Sequence, residues 1–137
     1  MTAGGAAVPA AQASFLAFDF GLKRTGVAVG NRLTRSATPL PTIRAEGEAR
    51  WTPLAARIAD WQPDALVIGV PFHPDGAEHE NTRRARKFAR QLRGRFGLPV
   101  FEVDERYSTT EALSAGAADA DAASACIILE QFLRSLP

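Results

Sequence analysis

The segment 65–70, ALVIGV, contains no polar side chain and lies between Asp64 and Pro71. An apolar run of this length indicates a strand that is buried on both faces, because a strand with one face in water alternates apolar and polar residues. Strands of that kind occur in sheets that are covered by helices. This segment therefore predicts an α/β domain built around a buried sheet.

Four more strands are predicted around this buried one. The first two are apolar runs separated by a short turn after Gly21, which indicates a hairpin. The third contains Pro39 and Pro41, so we expect it to be short and to lie at an edge of the sheet. The four ranges are 14–20, 25–30, 36–43 and 100–103.

Helices are predicted between and after the strands, from apolar residues that recur at spacings of three and four. One covers residues 48–61, and the clearest covers residues 82–96. Ser108 and Glu111 have the spacing of a capping box and open a short third helix. A last helix carries the apolar stripe Ala125, Ile128, Leu129, Phe132 and Leu133. The order β-β-β-α-β-α-β-α-α predicts a mixed five-stranded sheet flanked by helices.

The length of 137 residues is that of one domain. Residues 1–13 are small and Ala-rich, so we expect a disordered leader followed by one domain over residues 14–137. Cys126 is the single cysteine, which excludes an internal disulfide. No apolar run approaches the ~20 residues that span a membrane. We expect a cytoplasmic protein without a membrane partner, and a monomer, since nothing in the sequence identifies a dimer face.

Three regions hold carboxylates whose positions need an explanation. Asp19 lies within the first apolar strand, where it is either a turn residue that accepts backbone hydrogen bonds or a ligand of a cation. Asp104 and Glu105 follow another strand, and they are either solvated or part of a site at the strand ends. Asp121 shares the inward face of the last helix, although an N-cap role also accounts for it and Asp119 is an alternative cap.

Carboxylates that converge from two strands and a helix are typical ligands of Mg²⁺ or Mn²⁺, hard cations that prefer oxygen. A pair of such ions can activate water and stabilise the leaving oxygen of a phosphodiester. His73 and His79 lie in one polar loop, where we expect them to be solvated and not to bind zinc. The sequence therefore indicates a magnesium or manganese site.

The predicted helix 82–96 contains seven of the 16 basic residues of a chain whose formal net charge is only +1. No acidic residue lies between Glu80 and Glu102. This face is either an ordinary solvated surface or a contact for phosphates, and the lack of local acids favours the contact. The seven are Arg83, Arg84, Arg86, Lys87, Arg90, Arg93 and Arg95.

The chain carries four ordered blocks, at residues 17–29, 67–76, 102–110 and 121–133. Together they resemble the YqgF family, the RuvC-like pre-16S ribosomal RNA nucleases with a ribonuclease H-like fold. Residues 17–29 (AFDFGLKRTGVAV) are similar to the opening family motif D-x-G-x-K-R-x-G-V-A-V. Residues 67–76 (VIGVPFHPDG) resemble the G-x-P loop, and residues 102–110 (EVDERYSTT) resemble the D-E-R block. Residues 121–133 resemble the final acidic, Ala-rich helix. The first block alone is weak, whereas the four together are specific.

The resemblance implies a metal-dependent endonuclease that uses Mg²⁺ or Mn²⁺ and matures the 5′ end of pre-16S ribosomal RNA. Its partner would be structured RNA, a ribosomal precursor rather than a DNA junction. The implied catalytic residues and metal ligands are Asp19, Glu105 and Asp121, with Asp104 as the alternative at the second position. Residues implied to contact substrate phosphate or to hold the carboxylates are Lys23, Arg24 and Arg106. From the basic helix we add Arg83 and Lys87 as substrate contacts.

One segment departs from the family pattern. The family carries a longer, Gly- and basic-rich loop before its last aspartate, whereas the stretch 112–120 is short and has no basic residue. The departure keeps Asp119 as an alternative to Asp121. Two other functions stay open: a Holliday junction resolvase, which normally acts as a dimer, and a non-catalytic RNA-binding factor in ribosome assembly.

Overall fold

The computed structural model describes residue 9 and residues 12–73, 75–105 and 119–137. Its strands are β1 Ser14–Phe20, β2 Thr25–Asn31, β3 Ala37–Ile43, β4 Ala65–Pro71 and β5 Val100–Glu105. Its helices are α1 Trp51–Trp61, which follows a 3-10 turn at Gly47–Arg50, α2 Glu80–Phe96 and α3 Ala120–Ser135. Most of the predicted leader and the predicted helix at Ser108 lie outside the described residues and stay predictions.

The five strands form one sheet in the order β3-β2-β1-β4-β5. β1 pairs antiparallel with β2, and β2 pairs antiparallel with β3. β4 is parallel to both β1 and β5. The C-terminal ends of β1, β4 and β5 therefore lie at the same edge of the sheet. The predicted mixed five-stranded sheet flanked by helices is confirmed.

Helices cover both faces of this sheet. α1 and α2 pack on one side, here named the α2 face, against strand residues such as Leu16 and Phe18. α3 packs on the other side, the α3 face, against residues such as Phe15 and Ala17. Successive side chains of a strand point to opposite faces, so β1 needs apolar residues at consecutive positions. The first six residues of β4 are buried, as its apolar run predicted.

The strand with two prolines, β3, is an edge strand as predicted, but it is not short. It has seven residues, as many as β1. Alternate N–H groups of an edge strand face away from the sheet, so a proline at those positions costs no ladder hydrogen bond. Pro39 and Pro41 are two positions apart, which is compatible with that arrangement.

None of the described helices is long and apolar enough to cross a membrane.

His79 caps α2, although we expected it to be solvated. Its Nδ1 accepts a hydrogen bond from the N–H of Asn81 at 3.1 Å, and its own N–H donates to the Thr82 hydroxyl at 3.1 Å. The Thr82 hydroxyl donates in turn to the carbonyl of Pro71, at the end of β4. Because of this cap, α2 begins at Glu80, two residues before the predicted start, and its first turn is tied to the end of β4.

Candidate active site at the strand ends

Asp19 lies near the C-terminal end of β1, on the α3 face. It alternates with Phe15 and Ala17, which belong to the core under α3. Burial, and to a lesser degree the negative charge of Asp121, raises the pKa of Asp19 to about 7. A partly buried carboxylate in this environment is stabilised by a proton, by hydrogen bonds or by a cation.

Glu105 ends β5 at the same edge and on the same face. Its Cγ lies 3.4 Å from the position that a Cβ on Gly69 of β4 would occupy, so the side chain reaches back over that strand. Burial raises the pKa of Glu105 to about 7, with smaller contributions from the charges of Asp19 and Asp104. Its Oε1 is buried and has no hydrogen-bond partner among the described residues.

The alternation of β5 separates Glu105 from its alternative, Asp104. Glu102 faces α2, where its two carboxylate oxygens lie 3.5 Å from Arg86 and from Arg93. Asp104 lies two residues beyond Glu102 and shares its side of the strand. The geometry therefore places Glu105, and not Asp104, on the face that carries Asp19.

Asp119 is the N-cap of α3. Its Oδ1 accepts hydrogen bonds from the N–H of Ala122 at 3.2 Å and from the hydroxyl of Thr42 at 2.7 Å. These contacts tie the start of α3 to β3 and use Oδ1 for capping. Asp121, one residue inside the helix, is free of the capping role.

The backbone of Asp121 lies directly against β2. A Cβ on Gly26 would lie only 2.0 Å from the Asp121 carbonyl oxygen, so only glycine allows this approach. Gly26 is the register partner of Asp19. The close approach therefore places the first turn of α3 beside the strand pair that carries Asp19.

Arg24, in the turn between β1 and β2, forms an ion pair with Asp121, with 3.0 Å between Nε and Oδ2. We expected Arg24 either to contact substrate phosphate or to hold a carboxylate. In the described structure it holds the carboxylate of Asp121. Lys23 beside it is exposed and has no hydrogen bond or ion pair with any described residue. Arg106 lies outside the described part of the chain.

A divalent cation is the group that this fold and these donors suggest. As the side chains are placed, no three described histidine, cysteine, aspartate or glutamate residues are grouped to hold a metal ion. Asp121 is turned toward Arg24 instead. The unpartnered buried Oε1 of Glu105 and the raised pKa values of Glu105 and Asp19 nevertheless fit a hard cation that prefers oxygen ligands. The donor chemistry fits, while the third ligand is not in place.

Arg50 is a site residue that the sequence did not reveal. Its side chain is 4% exposed and donates to the carbonyl of Gly21 at 2.8 Å, the carbonyl of Leu22 at 2.7 Å and the hydroxyl of Thr25 at 3.0 Å. Its guanidinium lies 4.5 Å from the centre of the Phe20 ring. Arg50 therefore holds the turn that presents Lys23 and Arg24. No local pattern marks it, because these three acceptors in the turn are more than twenty residues away.

The basic helix lies on the α2 face, opposite the three carboxylates. Four of its seven basic residues have glutamate partners within 3.5 Å, and these are Arg84, Arg86, Arg93 and Arg95. Arg83 and Lys87, which we predicted to bind substrate, are exposed and have no ion pair within the described ranges. Arg90 is likewise exposed and has no ion pair within the described ranges.

Comparison with known proteins shows the family. The family model RuvX, described as Holliday junction resolvase, matches residues 13–135. A protein of Polaromonas sp. (strain JS666) is 76% identical over 135 residues, which cover 96% of this chain and 98% of that protein. A protein of Paraburkholderia phytofirmans is 54% identical over 132 residues, covering 91% and 90%. Both are named "Putative pre-16S rRNA nuclease".

The same fold occurs in solved structures of distant sequence. Thermus thermophilus RuvC in complex with Holliday junction substrate matches with a TM-score of 0.55 at 14% identity, over 88% of this chain and 93% of that one. The Thermoplasma acidophilum Pelota protein matches with a TM-score of 0.51, over 93% of this chain and 39% of that one. At such identities the likeness concerns the RuvC-like, ribonuclease H-type fold alone. The family match and the close relatives together show that the chain belongs to the RuvX (YqgF) family.

Proposed function

We propose that this chain is a divalent-metal-dependent endonuclease that hydrolyses phosphodiester bonds, and that it acts on the 5′ end of pre-16S ribosomal RNA. The observation that carries the proposal is the pair Asp19 and Glu105, two partly buried carboxylates with raised pKa values on one face and at one edge of the sheet. The names of the relatives support the substrate. A cytoplasmic location stays a prediction.

Each residue of the site has a distinct part in this proposal. Asp19, Glu105 and Asp121 would hold Mg²⁺ or Mn²⁺, which when bound activates water and neutralises charge at the leaving oxygen. Asp19 and Glu105 keep a proton up to about neutral pH, so cation binding at this pair strengthens as the pH rises. Arg24 keeps the Asp121 carboxylate at the edge, and the neighbouring Lys23 offers an exposed charge to a substrate phosphate.

Two substitutions on the same strand test the proposal. Glu105→Gln removes a proposed ligand, whereas Glu102→Gln changes the same chemical group on the opposite face of β5. We expect Glu105→Gln and Asp19→Asn to lower the rate of cleavage by about 10³-fold or more, because several kcal/mol of charge stabilisation are lost. Glu102→Gln should retain most of the activity. Cleavage of a pre-16S RNA fragment in Mg²⁺ or Mn²⁺, with mapping of the new 5′ end, gives the readout.

Activity of Asp19→Asn equal to that of the wild type would contradict the carboxylate assignment. A wild-type chain that binds the RNA but cuts nothing in either metal would favour the non-catalytic assembly factor. The description of the family model favours a second candidate, a Holliday junction resolvase. Faster cutting of a four-way DNA junction than of the RNA, by a dimeric form of the chain, would support that candidate.

A further inference from the structure

Three basic residues on α2 have no acidic partner in the part of the chain that the structure describes, and they lie on one line. We propose that Arg83, Lys87 and Arg90, here named the cationic stripe, bind the phosphate backbone of the RNA substrate at a distance from the cleavage site. This inference rests on the proposed nuclease function. It adds a second contact surface, on the face of the sheet opposite the carboxylates.

The spacing of the stripe places its members on the same side of the helix. The intervals of four and three residues between them return to one face after each turn. All three side chains are exposed. At 1.5 Å of rise per residue, the stripe is roughly 10 Å long, enough to contact more than one phosphate of a strand.

Ion pairing separates the stripe from the other basic residues of the helix. Arg84 pairs with Glu80 at 2.6 Å, Arg86 with Glu78 at 2.5 Å, and Arg95 is 3.2 Å from Glu48. Arg93 is held between Glu102 and the carbonyl of Val100. Each of these charges is offset locally, so the positive potential of α2 is concentrated along the stripe. An uncompensated line of cations on an exposed helix fits a polyanion.

The surface beyond the stripe is open. Gly94 continues the same line, four residues after Arg90, and a Cβ placed there would meet no atom of the described residues within 4 Å. A nucleic-acid backbone that lies along the stripe therefore meets no large side chain at Gly94. No acidic residue occurs on the helix after Glu80.

The stripe begins at the edge where the carboxylates end. The first turn of α2 is tied to Pro71 at the end of β4 through Thr82, and Arg83 is the next residue. Asp19 and Glu105 end the two strands that flank β4. RNA that leaves the carboxylates across this edge would meet Arg83 first and the rest of the stripe afterwards. The stripe therefore favours substrates that extend beyond the nucleotides at the cleavage site.

Two triple variants with equal net charge test the inference. Arg83→Gln/Lys87→Gln/Arg90→Gln removes the stripe, and Arg84→Gln/Arg86→Gln/Arg95→Gln removes three paired arginines. Both change the formal net charge from +1 to −2, and glutamine preserves helix propensity. Binding of a pre-16S RNA fragment is measured in EDTA over a range of salt concentrations, so that cleavage does not interfere. Thermal unfolding checks that both variants fold.

We expect the stripe variant to bind the RNA about 10-fold or more weakly at low salt. The slope of log K against log salt should fall by about 2 to 3, since each lost phosphate contact removes nearly one unit. The control variant should change the slope by less than ~1. An equal loss of RNA affinity in the two variants would show that only the net charge matters, and it would overturn the inference. RNA binding by the stripe variant that equals that of the wild type would also overturn the inference. This is the result expected if the stripe binds an acidic protein and not RNA.

The wild type separates this failure from failure of the proposed function. If the wild type cuts the RNA and both variants bind it equally, the stripe inference fails while the nuclease stands. If the wild type cuts nothing in Mg²⁺ or Mn²⁺, the proposed function fails irrespective of binding.

Discussion

The two faces of the sheet are built differently, although both are covered by helices. On the α3 face a helix approaches the strand backbones: Cβ atoms on Gly26 and Gly69 would lie 2.0 Å from the Asp121 carbonyl and 2.5 Å from Ile128. On the α2 face aromatic rings separate helix and sheet, as between Phe18 and Phe88 at 6.2 Å. The α3 face, here called the close face, holds the three candidate metal ligands. The α2 face, here called the wide face, holds the cationic stripe.

The close approach of α3 to the strands explains why the candidate site lies on the α3 face. A short carboxylate on a helix can reach a strand-end carboxylate only when the helix touches the sheet, and glycine is the residue that permits this contact. On the α2 face, bulky side chains keep the helix away, so its charges are directed outward.

The largest effect is expected for Gly26→Ala, on the close face. The new Cβ would overlap the Asp121 carbonyl, so α3 must move or the chain must unfold, at a cost of about 3 kcal/mol or more. Gly94→Ala, on the wide face, meets no atom and should stabilise the protein by roughly 0.5–1 kcal/mol. Denaturant unfolding and RNA cleavage measure both. Equal behaviour of the two variants would remove the proposed difference between the faces.

Arg50→Met should have the next largest effect. It leaves the carbonyls of Gly21 and Leu22 without their buried donor, and unmade buried hydrogen bonds cost about 1–3 kcal/mol each. We expect a loss of about 2–4 kcal/mol and weaker RNA binding through the disturbed basic turn. Arg57→Met is the control, because Arg57 donates to the exposed carbonyl of Pro41, its one hydrogen-bond partner among the described residues. A stable Arg50→Met variant with normal binding would show that the turn holds its shape alone.

The pH dependence of the free energy of unfolding should reveal the raised pKa values of the two carboxylates on the close face. The pKa values of Asp19 and Glu105 are near 7 in the folded chain and near 4 when unfolded, so the folded state binds more protons between these values. Without metal, the free energy of unfolding should therefore decrease as the pH rises from about 4 to 7, by roughly 1–3 kcal/mol. Asp19→Asn should flatten this decrease, and Mg²⁺ should oppose it. Stability that rises with pH in EDTA would contradict the raised pKa values.

The smallest effect separates a cap from a ligand at Asp119. Asparagine caps helices as well as aspartate, so Asp119→Asn should cost less than ~0.5 kcal/mol, whereas Asp119→Ala should cost about 1 kcal/mol. If Asp119 only caps α3, Asp119→Asn should keep cleavage within about threefold of the wild type. A loss as large as that of Asp19→Asn would instead make Asp119 a ligand and displace Asp121 from that role.

Much of the fold followed from local pattern. The run ALVIGV identified the buried strand β4, and the apolar stripes identified α1, α2 and α3. Asp19 was recognisable because a carboxylate inside an apolar strand needs a partner. These features depend on residues within one strand or a few helical turns of each other, which is the range over which sequence spacing reports structure.

Tertiary structure decided how the candidate site is assembled. The sequence left Asp104 and Glu105 as alternatives, and the pairing of β5 with β4 placed Glu105 on the face of Asp19. The cap at Asp119 depends on Thr42, far away in the chain. The sequence alone determined which residues carry charge and which elements carry them. It did not determine which charges are paired across the chain, because Arg50 and Arg95 find partners that only the folding of distant segments brings within reach.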